Sequence, residues 1–328
     1  MDDMKRRDFI LMVGGATLLS RAARGQQTSP VVGVLGFATL EAVRANFAAV
    51  QARLAEMGYV EGHNLAIEYR WADYQQDRLA ALAGELVQRR VAAIYASSGS
   101  AVSAAKAATT TIPIIFFTGF DPVESGFVNS LNRPGGNVTG VFILSSELIF
   151  KRLELLHEMV PAAKTIAFLY TQTAIKSGDT SYENLRQAAE AIGVKLLFFN
   201  VTDASDLDES FARTEGVGAG GLIVQSDPVF QNNRQKTIVL AARHRLPAMY
   251  FIREYPAEGG LISYGPNYTD AYRQIGDYVG RVLKGEKPEN LPVQQITKIE
   301  LVINMKTANS LGLIVPLGLL GRADEVIE

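Results

Sequence analysis

Continuous apolar runs alternate with amphipathic helical stretches along this chain, and the alternation runs its course twice. Val31–Gly36 (VVGVLG) is unbroken by polar residues, as expected of a strand covered on both faces. Thr39 is suited to cap a helix running to about Met57, with Phe47, Val50, Leu54 and Met57 at helical spacing and Gly58 as its stop. Strands are expected at 64–70, 91–96 and 112–118, with helices at 75–89 and 100–109. Pro134, Gly135 and Gly136 in NRPGGNVTGV then break the rhythm. It restarts with a helix over 147–159, then strands at 165–170, 194–199, 221–225, 247–251, 260–265 and 298–304. Helices over 180–192, 206–214, 230–243, 268–284 and 305–311 fall between and after them. Two such runs predict an α/β fold of two doubly wound parallel-sheet lobes, each covered by helices, with a ligand cleft between them.

The first 25 residues stand outside this pattern. Lys5, Arg6 and Arg7 precede a mostly apolar stretch over 9–20, followed by Ala23-Arg24-Gly25. The stretch is too short for a bilayer core of roughly 30 Å, which takes about 20 helical residues. It suits a signal peptide over 1–25, removed on export to the periplasm. Arg6-Arg7-Asp8-Phe9-Ile10 resembles the twin-arginine export pattern, and Gly14-Gly15 dilute the apolar run as that route prefers. A basic tail and a buried first helix are the competing readings.

Beyond residue 25 the chain holds 27 basic and 31 acidic residues. That mild acidity, without a basic cluster, argues against nucleic acid as a partner. No later apolar run is long enough to span a membrane. The cysteine count is zero, so no lipid-bearing cysteine can tether the chain, and a free monomer not anchored to the membrane is expected.

Catalytic signals are nearly absent. Gly216, Gly218 and Gly221 match G-x-G-x-x-G literally, but a helix precedes and a strand follows, the reverse of the dinucleotide context. There is no phosphate loop, no zinc motif and no nucleophile elbow. His63, His157 and His244 lie far apart in the sequence. No cofactor, no metal and no enzyme activity are expected.

Ligands in doubly wound folds sit outside the carboxyl ends of the strands, which directs attention to the turns after each strand. Phe37 follows the first strand, and Ser97, Ser98 and Ser100 follow the third and open a helix. Thr118 and Asp121 follow the fourth. In the second half Tyr170 and Thr171 end one strand, Asp227 and Phe230 follow GLIVQ, and Arg253 follows PAMYF. Serines at a helix start offer an anion site for a carboxylate. An aspartate on the facing lobe can pair with an ammonium, and aromatic rings can stack on an apolar body. Each has a structural alternative: plain helix capping for the serines, helix initiation before Pro122 and Pro228 for the aspartates, sheet-edge packing for the aromatics. Trp71, the single tryptophan, reads as cleft wall or as structural cover. Together these groups suit a small zwitterionic or carboxylated molecule and do no chemistry on it.

Four stretches are specific beyond a fold pattern: GYVEGHNLAIEYRWAD, TTTIPIIFFTGFDPVESGFVNSLNRPGGNVTGV, LISYGPNYTDAYRQIGDYVGRVLKGEKPENLPVQQ and ELVINMKTANSLGLIVPLGLLGRADEVIE. They resemble the substrate-binding proteins of ABC transporters, in the family that includes tryptophan- and tyrosine-binding members. The resemblance implies a type I periplasmic binding protein with three hinge crossings and a permease partner in the inner membrane. It implies lobes of 30–144 plus about 266–295, and 145–265 plus about 296–328. It carries Asp227 over as an amine partner, although Pro228 stands where members have an asparagine. An amino acid or an aromatic acid is the expected ligand class. An exported Rossmann-type oxidoreductase and a sensing module for a membrane receptor are the alternatives.

Overall fold

The computed structural model describes residues 29–171 and 181–328; the expected export segment lies outside them. The chain begins with β1 (Val31–Gly36), α1 (Leu40–Glu56), β2 (Ala66–Trp71), α2 (Leu79–Gln88), β3 (Ala93–Ala96), α3 (Gly99–Ala108), β4 (Ile114–Thr118) and β5 (Val138–Phe142). A second series follows: α4 (Ser145–Met159), β6 (Thr165–Tyr170), α5 (Ser181–Ala191), β7 (Lys195–Asn200), α6 (Asp206–Gly216) and β8 (Gly221–Val224). It continues through α7 (Pro228–Asn232), α8 (Arg234–Arg243), β9 (Ala248–Tyr250), α9 (Glu254–Ala257) and β10 (Ile262–Pro266). The chain ends with α10 (Tyr268–Leu283), β11 (Gln294–Gln295), β12 (Ile299–Asn304), α11 (Met305–Ser310), α12 (Leu317–Leu320) and β13 (Glu325–Ile327).

These strands form two sheets, ordered β11-β5-β4-β3-β1-β2 and β13-β12-β10-β9-β8-β6-β7. The chain passes between them after β5, after β10 and after β11. Among the described residues every strand pairing is parallel except β10 with β12, where the chain re-enters the second sheet from the first.

Coverage of both faces explains the unbroken apolar runs. Val32 and Val34 of β1 pack with Phe47 and Val50 of α1 and Ile275 of α10, whereas Leu35 packs on the opposite face with Leu79 and Leu86. The second sheet repeats this: Ile166 and Phe168 of β6 face α4, and Ala167 and Leu169 face Phe211 and Leu240. Tyr268, the first residue after the second crossing, packs against a core of each sheet.

Two local departures from expectation have physical causes. NRPGGNVTGV reads as a break, yet its end is β5, an inner strand. A Cβ on Gly140 would lie 2.3 Å from the Phe116 carbonyl oxygen, so β5 reaches its neighbour only without a side chain there. The helix expected over 230–243 divides at Asn233, because Asp227 and Pro228 start a separate short helix ahead of it. The glycine run at 216–221 is the turn from α6 into β8.

Candidate functional site

Each sheet reverses its strand order once. β1 lies between β2 and β3, and β6 lies between β7 and β8. Such switch points open a crevice at the carboxyl ends of the strands. The segments leaving β1, β3 and β8 meet around a cavity of about 170 Å3. Phe37, Ala38, Ser97 and Ser98 line it from the first sheet, and Ser226 and Asp227 from the second. Val43 and Asn46 of α1, Phe117 of β4, Gln231 of α7, and Tyr268 and Tyr272 of α10 complete the wall.

Asp227 is the only ionisable carboxylate among these wall residues, and no lysine or arginine is among them. Its Oδ1 accepts the Val229 N–H at 2.8 Å, capping α7, and its Oδ2 accepts the Thr171 hydroxyl at 2.6 Å. Thr171 is itself set in place by its N–H donating to Gln225 Oε1 at 3.0 Å. Burial pushes the Asp227 carboxyl above the ordinary aspartate range, against the opposing pull of those two donors. The bland reading of this aspartate as a helix cap is therefore correct, and the residue also faces the cavity.

On the opposite wall Ser98 caps α3, its hydroxyl accepting the Ala101 N–H at 3.2 Å and lying 3.1 Å from the Ser100 hydroxyl. The Ser97 N–H donates to the Leu35 carbonyl at 3.0 Å. Ser100 does not line the cavity. The aromatic wall is partly self-satisfied: the Tyr268 hydroxyl pairs with Ser226 and the Tyr272 hydroxyl with Asn46. Burial raises both phenols, so they remain neutral hydrogen-bonding groups.

The other expected site residues lie elsewhere. Thr118 donates its hydroxyl to the Phe120 carbonyl at 2.8 Å, and Asp121 accepts the Val123 N–H at 2.7 Å, so both fasten the turn after β4. Tyr170 packs edge-on to Phe198 and beside Tyr182. Phe230 is fully buried in the core behind α7. Arg253 pairs with Glu300 at 2.9 Å and with Glu325. Trp71 stacks on Tyr69 and covers Gly36, where a Cβ would lie 1.9 Å from its ring.

Sequence reasoning passed over Asn46, Phe117, Gln231, Tyr268 and Tyr272. Tyr268 and Tyr272 lie four residues apart at the start of one helix, a spacing that puts both on one face. That signal is indistinguishable from core packing until the second crossing is known.

A two-lobed α/β molecule whose switch points share one cavity defines the periplasmic binding protein class, type I. The chain matches the family model described as ABC transporter substrate binding protein over residues 31–327, and it belongs to that family. It is 28% identical over 264 residues to a tyrosine-binding protein of Clostridioides difficile (strain R20291), covering 79% of this chain and 74% of that one. Among solved structures it is similar to a conserved domain protein from Vibrio cholerae, with a TM-score of 0.77 and 27% identity over 91% of this chain and 99% of the other. It is also similar to the ABC domain from Streptococcus pneumonia in complex with L-Trp. There the TM-score is 0.75 and the identity 26%, over 91% of this chain and all of that one.

Proposed function

We propose that this protein is the periplasmic solute collector of an ABC uptake transporter and that it captures a small zwitterionic carboxylate, an aromatic amino acid first among them. One observation carries the reading: a buried carboxylate, Asp227, faces a small cavity walled by Phe37, Phe117, Tyr268 and Tyr272. Two neutral donors meet this carboxylate, but no cationic side chain is among the described wall residues. A buried charge is costly without a counter-charge, and an α-ammonium would supply it. Ser97 and Ser98, at the start of α3, supply the opposite end with hydroxyls and helix N-terminal polarity for a carboxylate. The tyrosine- and L-Trp-binding relatives support the aromatic side chain. In this reading the site binds and does no chemistry.

In this reading the lobes part to admit the ligand and capture it by closure; a cavity of about 170 Å3, below the roughly 300–1,000 Å3 of typical ligand sites, supports it. We place the lobe limits at 30–144 plus about 266–295, and 145–265 plus about 296–328. Export through a twin-arginine signal over 1–25, monomeric action and delivery to an inner-membrane permease complete the proposal.

A thermal-shift screen tests it, with L-tyrosine, L-tryptophan, other amino acids and amine-free aromatic carboxylates. A ligand at about 100 times its Kd should add roughly 2.7 kcal/mol of stability. An amino acid that stabilises while its amine-free counterpart does not supports the reading. Equal stabilisation by both removes the role given to Asp227.

A further inference from the structure

The segment that follows β2 reaches across the cleft. Ala72 still donates its N–H to the Gly36 carbonyl at 2.9 Å, continuing the ladder with β1. The next two residues, Asp73 and Tyr74, both adopt left-handed backbone, with φ of 51° and 63°. Consecutive non-glycine residues in that region are unfavourable and persist only where the surroundings impose them. Here they are imposed. The Tyr74 N–H donates to the Phe37 carbonyl at 2.8 Å, the Gln75 N–H to the Ala72 carbonyl at 2.9 Å, and Arg78 holds Asp73 Oδ2 at 2.7 Å.

The turn delivers the Tyr74 ring edge-on to Phe37, with centroids 5.7 Å apart and planes at 90°. It also delivers the hydroxyl to the other lobe, where it accepts a hydrogen bond from Asn232 Nδ2 at 3.1 Å. Phe37 and Asp227 both line the cavity, and Asn232 ends the short helix that Asp227 caps. Tyr74 is 39% exposed, so this bond is not part of either lobe's core. A strained turn that holds a cavity-wall ring at one end and a facing-lobe amide at the other has the construction of a clasp.

We propose that Tyr74 is the residue that latches the closed cleft, through its hydroxyl to Asn232 and through its ring, which backs Phe37 against the ligand. This rests on the cleft being the solute site. A latch that forms only on closure slows ligand release and leaves encounter almost untouched.

The chain has no cysteine, so spin labels can be introduced at Arg44→Cys and Arg243→Cys, exposed positions on α1 and α8. The distance between them reports closure without any ligand. In that background Tyr74→Phe keeps the ring and removes the hydroxyl, and Asn232→Ala removes the partner. Each should deplete the short, latched population in the inter-lobe distance distribution of the unliganded protein, and the double variant should deplete it no further. With L-tyrosine or L-tryptophan as probe, stopped-flow release should quicken by about three- to tenfold in either variant, the worth of one neutral hydrogen bond. Melting of the unliganded variants should stay at the parent value. Unchanged distances in both variants, or losses that add in the double variant, overturn the latch. If neither amino acid binds the parent, it is the ligand reading that has failed, and the inter-lobe distance still decides the latch.

Discussion

At the scale of single residues, the capping role of Asp227 leaves room for the ligand contact proposed for it. Its two oxygens are used by Val229 and Thr171, yet a carboxylate has about four lone-pair sites and can accept further donors. Asp227→Ala should weaken binding of an amino acid by roughly tenfold to a hundredfold, the worth of a charge-assisted hydrogen bond. It should lower stability by about 0.5–2 kcal/mol through the lost cap, which a melting curve beside the titration would separate from the binding loss. The carboxyl's folded pKa is raised by burial. Relative to the unfolded chain the unliganded fold holds this proton more tightly, a contribution to stability present at low pH and lost as pH rises through the raised value. An ammonium requires the ionised form. Affinity for the amino acid should accordingly fall as pH drops through that raised value, and Asp227→Asn should bind weakly with a flat pH profile over the same range. A parent profile that stays flat in titration calorimetry would remove the ionised carboxylate from the contact. The cavity-lining serines and Asp227 were legible in the sequence because they directly follow strands. Phe230 was not, since Pro228 starts a helix that turns its ring into the core. Arg253 pairs with Glu300 and Glu325, partners 47 and 72 residues away that no local pattern reveals.

At the scale of elements, the long strands and helices were readable because each buries apolar residues in a period set by its own geometry. The elements missed are short or atypical. β11 has two residues and β13 three, and both exist only by pairing with β5 and β12. α9 and α12 have four residues each, too few for a period. β5 was hidden by its own glycine. Gly140→Ala would push a methyl into the Phe116 backbone, within 2.6 Å of both its nitrogen and its oxygen. Backbone cannot swing aside as a side chain can, so the variant should lose about 1–3 kcal/mol or more in urea unfolding. Gly140 does not line the cavity, so the folded fraction should keep the parent's ligand affinity. Parent-like stability would mean that β5 and β4 can separate without cost.

At the scale of the whole molecule, the proposed closure asks two well-packed lobes to move as units. Each sheet has its own cores on both faces, and three chain crossings join them. Two of the crossings are tied by a polar cluster. Glu300 accepts hydrogen bonds from Asn267 at 2.9 Å and Arg253 at 2.9 Å, and Lys298 bridges Asp270 at 3.2 Å and Glu300 at 3.5 Å. Polar contacts of this kind tolerate rotation at the crossings better than interdigitated apolar side chains do, because a packed core is not continuously deformable. Arg152 of α4, after the first crossing, is buried and donates to the Tyr264 carbonyl of β10 at 2.7 Å, which keeps the second lobe's side of the hinge as one piece. Closure should therefore be a rigid-body swing with little change inside either lobe. Small-angle scattering of the exported chain should give a radius of gyration near the compact-chain value of about 19 Å when a proven ligand saturates the site. The unliganded protein should give a larger one, with an unchanged far-ultraviolet circular dichroism spectrum. A profile that does not contract at saturation would mean that the lobes are fixed and that occupancy is signalled by something other than shape. Contraction accompanied by a changed dichroism spectrum would place the motion inside a lobe and not at the crossings.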